Sequence, residues 1–162
     1  MIQTETLLLE FLDAQGIPYQ RVEHPPVYTC EEAERLRQKL PAVSLKNLFV
    51  RDRRGTFYLL VTACEKKLDL KKLSQQLGAS KLHLGSEEML QELLHLTRGS
   101  VTVLGLINDT NHRVQLVMDA EIWRQESFLC HPLVNTATLV LSKSSLERFC
   151  EISGHTIHLI DM

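Results

Sequence analysis

Residues 45–62 constrain the fold more than any other stretch of the chain. Two runs, 45–51 and 56–62, are rich in aromatic and branched residues, and Asp52-Arg53-Arg54-Gly55 separates them. Gly55 supplies the turn, so the pattern predicts a β-hairpin. Around it, helical and strand periods alternate. A helix is expected over 4–15, with Leu8, Phe11 and Leu12 on one face and Gly16 ending it. A short strand over 19–23 closes at Pro25-Pro26. Thr29 opens a second helix, with Glu32 placed to reach back to the Thr29 amide as a capping box. Leu36 and Leu40 continue that helix until Pro41. Further helices are expected over 69–77, stopped by Gly78, and from a Ser86 cap to about Leu96. Strand-like runs cover 101–107, 114–119 and 136–141. A late helix starts at Ser144 or Ser145 and stops before Gly154, and 156–160 reads as a final strand. Helices cluster early and between hairpins, while the later half is mostly adjacent strands. The expected class is α+β, with a mixed, largely antiparallel sheet and flanking helices.

A chain of 162 residues fits one ordinary domain, here 1–162, and needs no metal or disulfide to fold. Its hydrophobic fraction of 44% and charged fraction of 23% exclude disorder, collagen-like repeats and coiled coil. No apolar run approaches the roughly 20 residues of a membrane span. The start, Met1-Ile2-Gln3-Thr4-Glu5, lacks a secretory signal pattern, so a cytoplasmic location is expected. A net charge of −2 argues against broad nucleic-acid binding, DNA included. The charge is uneven, however. Arg51, Arg53, Arg54, Lys66, Lys67, Lys71, Lys72 and Lys81 face only Asp52, Glu65 and Asp69 in the same window. A phosphate-bearing partner fits such a patch, and so does an ordinary solvated face.

Cys30, Cys64, Cys130 and Cys150 are scattered and form no C-x-x-C pair. They are expected to be reduced, small buried hydrophobes. His155 and His158 lie three apart, which on a strand directs them to opposite faces, so no metal site is expected. Cys130 and His131 are adjacent in an extended segment and diverge, which argues against a thiol nucleophile. Phosphate-loop, dinucleotide and nucleophile-elbow motifs are absent. Three segments are polar where the pattern calls for apolar residues. Lys46-Asn47 opens an apolar strand, Arg98-Gly99-Ser100-Val101-Thr102 joins a helix to a strand, and Cys130 to Thr136 places His131, Pro132 and Asn135 before another strand. Together, at the mouths of strands, they point to a cleft.

At these residues the chain resembles the editing domain associated with prolyl-tRNA synthetase and its freestanding relatives, the YbaK-like family. The blocks that carry the resemblance are Glu23-His24-Pro25-Pro26-Val27-Tyr28-Thr29, Leu45-Lys46-Asn47-Leu48-Phe49, Gly99-Ser100-Val101-Thr102, Gly105-Leu106-Ile107-Asn108-Asp109, residues 131–138 and Gly154-His155. They run in order along nearly the whole chain. The likeness is greatest to the freestanding branch that deacylates alanyl-tRNA(Pro), although Val103-Leu104 stands where that branch has Pro-Phe. The resemblance implies hydrolysis of the ester between a wrong amino acid and the terminal adenosine of tRNA(Pro). Alanine is the expected amino acid, and cysteine or another small residue the alternative. A non-catalytic module that binds tRNA ends or amino acids is a different class. No cofactor is implied. Mischarged tRNA(Pro) is the partner, and prolyl-tRNA synthetase a further one the resemblance admits. It also implies that Lys46 holds the terminal phosphate or ribose and that Asn47 orients it. His131 would position the amine or a ribose hydroxyl. The amides of Gly99, Ser100, Val101 and Thr102 would face the aminoacyl carbonyl. Leu45, Cys130 and Leu133 are expected to wall the pocket, and Asn135 is grouped with the substrate-binding residues.

Overall fold

The structure is a computed structural model that describes residues 1–37 and 40–162. Its elements, in order, are α1 (Glu5–Ala14), β1 (Gln20–Glu23), α2 (Cys30–Arg37), β2 (Val43–Arg51), β3 (Phe57–Ala63), α3 (Leu70–Leu77), β4 (His83–Leu84), α4 (Glu87–Leu94), β5 (Val114–Asp119), β6 (Ser127–Cys130), β7 (Ala137–Ser142), α5 (Lys143–Ser153) and β8 (Ile157–Ile160). The strands form one mixed sheet in the order β1-β7-β6-β2-β3-β5-β8, with β4 on β2. Four of the pairings are antiparallel, and β2–β6, β3–β5 and β5–β8 are parallel.

The expected hairpin is β2–β3, paired from Leu45↔Ala63 to Arg51↔Phe57. Asp52 fixes its turn: Oδ1 accepts from the amides of Arg54 (3.0 Å) and Thr56 (2.9 Å). Gly55 adopts φ +85°, a conformation that a side chain would strain. Both faces of the hairpin are covered. Phe49, Phe57, Leu59 and Val61 join the larger core beneath α1, α4 and α5, while Val50, Tyr58 and Leu60 pack with Leu73 of α3. This is the period-two alternation of a central strand buried on both sides.

The caps explain the helix starts. Thr4, Asp69, Ser86 and Ser142 accept amide hydrogen bonds from the first turns of α1, α3, α4 and α5. The cap of α5 is thus Ser142, ahead of the expected Ser144 or Ser145. At α2, Thr29 Oγ1 accepts from the Glu32 amide as expected, but the Glu32 carboxylate takes the Tyr28 amide rather than that of Thr29. Part of the expected extension of α2 toward Leu40 falls on residues 38–39, outside the described residues.

Two expectations fail. Residues 101–107 are not a strand: Val103–Asn108 forms a 3-10 helix, started by Thr102 Oγ1 accepting from the Leu104 amide (3.3 Å). Val103, Leu104 and Leu106 sink into the core there, and a short apolar run carries no period that separates such a segment from a strand. The four cysteines are not all reduced either. Cys30 and Cys64, 34 positions apart, form a disulfide because the start of α2 lies against the end of β3. Cys130 and Cys150 are free and buried.

Candidate functional site

The cleft owes its place to a gap in the sheet. The edge of β2 that faces away from β3 pairs with β6 at Val43–Ser44 and with β4 at Val50–Arg51. Among the described residues no strand pairs with that edge between them. Lys46 and Asn47 sit in this opening. Neighbouring strand residues point to opposite faces, so Lys46 and Asn47 reach the cleft from the two sides of the sheet. Three segments complete the walls: Val27 to Cys30 leading into α2, the 3-10 turn Arg98–Ser100 with Val101, and the loop beginning at His131. The cleft is open to solvent, with a volume of about 160 Å³.

Lys46 is anchored across the sheet. Its Nζ donates to the Lys66 carbonyl, on the turn after β3. The Lys66 ammonium is in turn held by Asp119 Oδ2 (2.8 Å) and Glu121 Oε2 (2.8 Å), and Thr62 donates to the same Asp119 oxygen (2.7 Å). Lys46 pairs with Thr62 across β2–β3, so a polar row crosses three strands beneath the turn. Burial pushes the Lys46 ammonium below its ordinary value. Asp119 moves down despite burial, because the hydrogen bonds from Lys66 and Thr62 and from the Glu121 amide outweigh it.

His131 comes from the other side. Burial holds its imidazole below the usual histidine value, the neighbouring Ala137 backbone opposes that shift, and His24 adds to it. Its Nδ1 and the side-chain oxygen of Asn47 are buried without a hydrogen-bond partner among the described residues. Such atoms cost free energy unless a ligand or solvent satisfies them, so they point to a site. The His131 loop is tied to the segment before α2: the Val27 amide donates to the Asn135 carbonyl (3.1 Å) and the His24 amide to the Thr136 carbonyl (3.0 Å). Leu133, within it, sits at φ +68°, an uncommon conformation for leucine.

The structure therefore brings together Leu45, Lys46, Asn47, Gly99, Val101 and His131 from three separated stretches of sequence. Other expected residues fall outside the cleft lining. The Ser100 amide donates to the Thr97 carbonyl and Thr102 is fully buried as a helix cap, so neither offers the free amide the turn was expected to present. Cys130 faces the main core, where burial raises its thiol far above the neutral range. Leu133 packs against the same core, and Asn135 works as a tie to Val27. Val27, Ala33 and Tyr28 line the cleft and carried no signal of spacing, whereas Arg98 opens one of the three polar segments. Of these only Val27 and Tyr28 lay in a block that the resemblance had marked.

His155, expected to be one half of a divergent pair, is a buried structural tie. Its Nε2 meets Asp109 Oδ2 (3.0 Å), its Nδ1 meets Ser153 Oγ (3.0 Å), and His158 is exposed.

Residues 24–149 match the model of the aminoacyl-tRNA editing domain. The span contains every cleft residue named above. The chain belongs to this family. Among its relatives, the prolyl-tRNA editing protein ProX of Acetoanaerobium sticklandii is 39% identical over 93% of both chains. Prolyl-tRNA synthetase associated domain-containing protein 1 of Danio rerio is 37% identical over 92% of this chain and 82% of its own. The fold recurs in the crystal structure of a candidate trans-editing enzyme for prolyl tRNA synthetase, with a TM-score of 0.73, 18% identity and coverage of 100% and 99%. An editing domain hydrolyses an activated ester, which needs a held substrate, oriented donors and a water more than it needs a strong nucleophile. A cleft built from Lys46, Asn47 and His131 has that character.

Proposed function

We propose that the protein is a trans-editing hydrolase that deacylates mischarged tRNA(Pro), with alanyl-tRNA(Pro) as its preferred substrate. The observation that carries this reading is the convergence of Lys46, Asn47 and His131 on one small cleft, where Asn47 and His131 each hold a buried polar atom without a partner among the described residues. Lys46 supplies a cation for the phosphate or ribose of the terminal adenosine, and Asn47 orients the sugar. Tyr28, 76% exposed at the cleft, offers a face on which the adenine base stacks. Arg98, exposed on the opposite wall, extends the positive charge toward the backbone.

The logic of selection is steric. A synthetase that binds proline cannot strongly reject a smaller residue, because a missing methylene is worth only about 1–3 kcal/mol. A second site must instead admit small side chains and exclude the prolyl ring by clash. The apolar wall of Leu45, Val27, Ala33 and Val101 serves that purpose. The test is a panel of deacylation rates with alanyl, cysteinyl, seryl and prolyl esters on tRNA(Pro). Fast alanyl and negligible prolyl hydrolysis supports the reading, and no hydrolysis of any ester ends it.

A further inference from the structure

Behind the cleft lies a second, much smaller space of about 20 Å³, lined by Val27, Ala33, Ser44, Leu45, Leu129, His131 and Thr138. Val27, Ala33, Leu45 and His131 belong to both spaces, so the two adjoin. The chamber is not simply apolar. Ser44 is 5% exposed, and its hydroxyl is buried with no partner among the described residues. His131 Nδ1 is in the same condition. The chain thus places two unsatisfied polar groups at one small chamber, each of which is expensive to leave so.

The remaining polar lining group is oriented by its own bond. His24 Nδ1 lies 2.8 Å from the Pro25 carbonyl, which only accepts, so Nδ1 carries the proton. In the neutral ring Nε2 is then an acceptor, and Thr138 donates its hydroxyl to it at 2.7 Å. The Thr138 oxygen keeps its lone pairs for another donor. A similar argument applies to His131. Nδ1 has no partner among the described residues, so a neutral ring with its proton on Nε2 presents a lone pair to the chamber. The chamber therefore borders on a basic nitrogen, a hydroxyl free to donate or accept, and an accepting oxygen. A buried water needs roughly 10–15 Å³ and about three hydrogen-bonding partners.

We infer that this chamber holds the attacking water of the hydrolysis, and that Ser44 with His131 binds and aims it at the ester carbonyl. The inference rests on the deacylase reading above. In the step, the water oxygen forms a bond to the carbonyl carbon and its proton passes to His131 Nδ1. The bond from that carbon to the ribose oxygen then breaks, and the ribose oxygen takes the proton back from the imidazolium. The products are the free amino acid and a tRNA with its terminal hydroxyl restored. Ser44 takes no part in the proton transfer. It fixes where the water stands and keeps larger nucleophiles out.

That last property is measurable, because methanol competes with water for an acyl group and leaves an amino-acid methyl ester. Wild-type protein, Ser44→Ala and Ser44→Gly are given alanyl-tRNA(Pro) in dilute methanol, and methyl ester and free alanine are quantified. The wild-type chamber admits water and excludes methanol, so methyl ester stays below the share set by the bulk methanol-to-water ratio. Ser44→Gly enlarges the chamber and raises the ester-to-alanine ratio by about tenfold, a shift of about 1.4 kcal/mol in partition. Ser44→Ala lowers kcat at unchanged KM. A fall in rate caused by misfolding alone does not alter how the acyl group partitions. Ratios equal to wild type in both variants overturn the water site while leaving the deacylase reading standing, and a change in alanyl-to-seryl preference without a change in partition assigns the chamber to the side chain instead. Absence of hydrolysis by the wild type overturns both.

Discussion

Replacing Asp119 with alanine removes the hub that ties the Lys66 turn to the sheet. The carboxylate is 1% exposed and accepts from Thr62 Oγ1 (2.7 Å), Lys66 Nζ (2.8 Å) and the Glu121 amide (3.1 Å). Thr62 is fully buried, so its hydroxyl loses its acceptor where water does not replace it, a loss of about 1–2 kcal/mol. The Lys66 side chain is 26% exposed and keeps Glu121, which places its loss at the low end of a charged hydrogen bond, about 1.5 kcal/mol. The sum of about 3 kcal/mol corresponds to a fall in Tm of roughly 6–12 °C for a chain of this length. The pH dependence has a definite sign. Asp119 is depressed in the folded state, so it contributes above its unfolded value, near 3.9, and loses that contribution as pH falls through the folded one. Thermal unfolding by circular dichroism at pH 7 and at pH 3 reads both effects, with Asp119→Asn as the isosteric control. The gap between wild type and Asp119→Asn is full at pH 7 and shrinks toward pH 3. A Tm within 2 °C of wild type for Asp119→Ala at pH 7, roughly what 1 kcal/mol or less produces, refutes the hub.

The disulfide closes a loop of 34 positions, for which chain entropy gives about 3–4 kcal/mol. Cys30→Ala/Cys64→Ala therefore unfolds roughly 10 °C lower than the oxidised protein, and dithiothreitol brings the wild type to the same temperature; equal melting of oxidised wild type and variant contradicts the pairing. Leu45→Ala widens the cleft wall and raises the ratio of cysteinyl and prolyl to alanyl hydrolysis, measured on the four-ester panel, whereas an unchanged ratio places the wall elsewhere. Cys130→Ser deacylates alanyl-tRNA(Pro) within twofold of wild type, since the thiol is buried and held protonated; loss of turnover with intact tRNA binding restores the thiol to the chemistry.

What the sequence made legible was local. The β2–β3 hairpin, the Ser86 cap and the Gly78 and Gly154 stops all rest on residues within a few positions of one another, and the structure places them as expected. Strand β6 escaped because Ser127–Cys130 is four residues long and earns its strand status from neighbours at Val43–Ser44 and Leu139–Ser142. The 3-10 helix at Val103–Asn108 escaped because burial, not period, shapes it. In the cleft, Lys46, Asn47 and His131 were visible as polar interruptions of apolar strands. Ser44 and Ala33 were not, since a serine and an alanine say nothing until β2 and α2 bring them to one chamber, and Thr138 stood out only within the resemblance block 131–138. The cysteine pairing failed for the same reason: spacing along the chain holds no record of α2 lying on the end of β3.

We propose that the opening in β2 is an ester-hydrolysing site in which Lys46 holds the substrate. Single-turnover deacylation of alanyl-tRNA(Pro) by wild type and Lys46→Ala, with folding of the variant checked by circular dichroism, tests it directly. The wild type is expected to release alanine rapidly, and the variant at a rate at least tenfold lower, about 1.4 kcal/mol in the barrier. A folded Lys46→Ala protein that releases alanine at the wild-type rate contradicts it, and makes Lys46 a surface lysine resting on the Lys66 carbonyl.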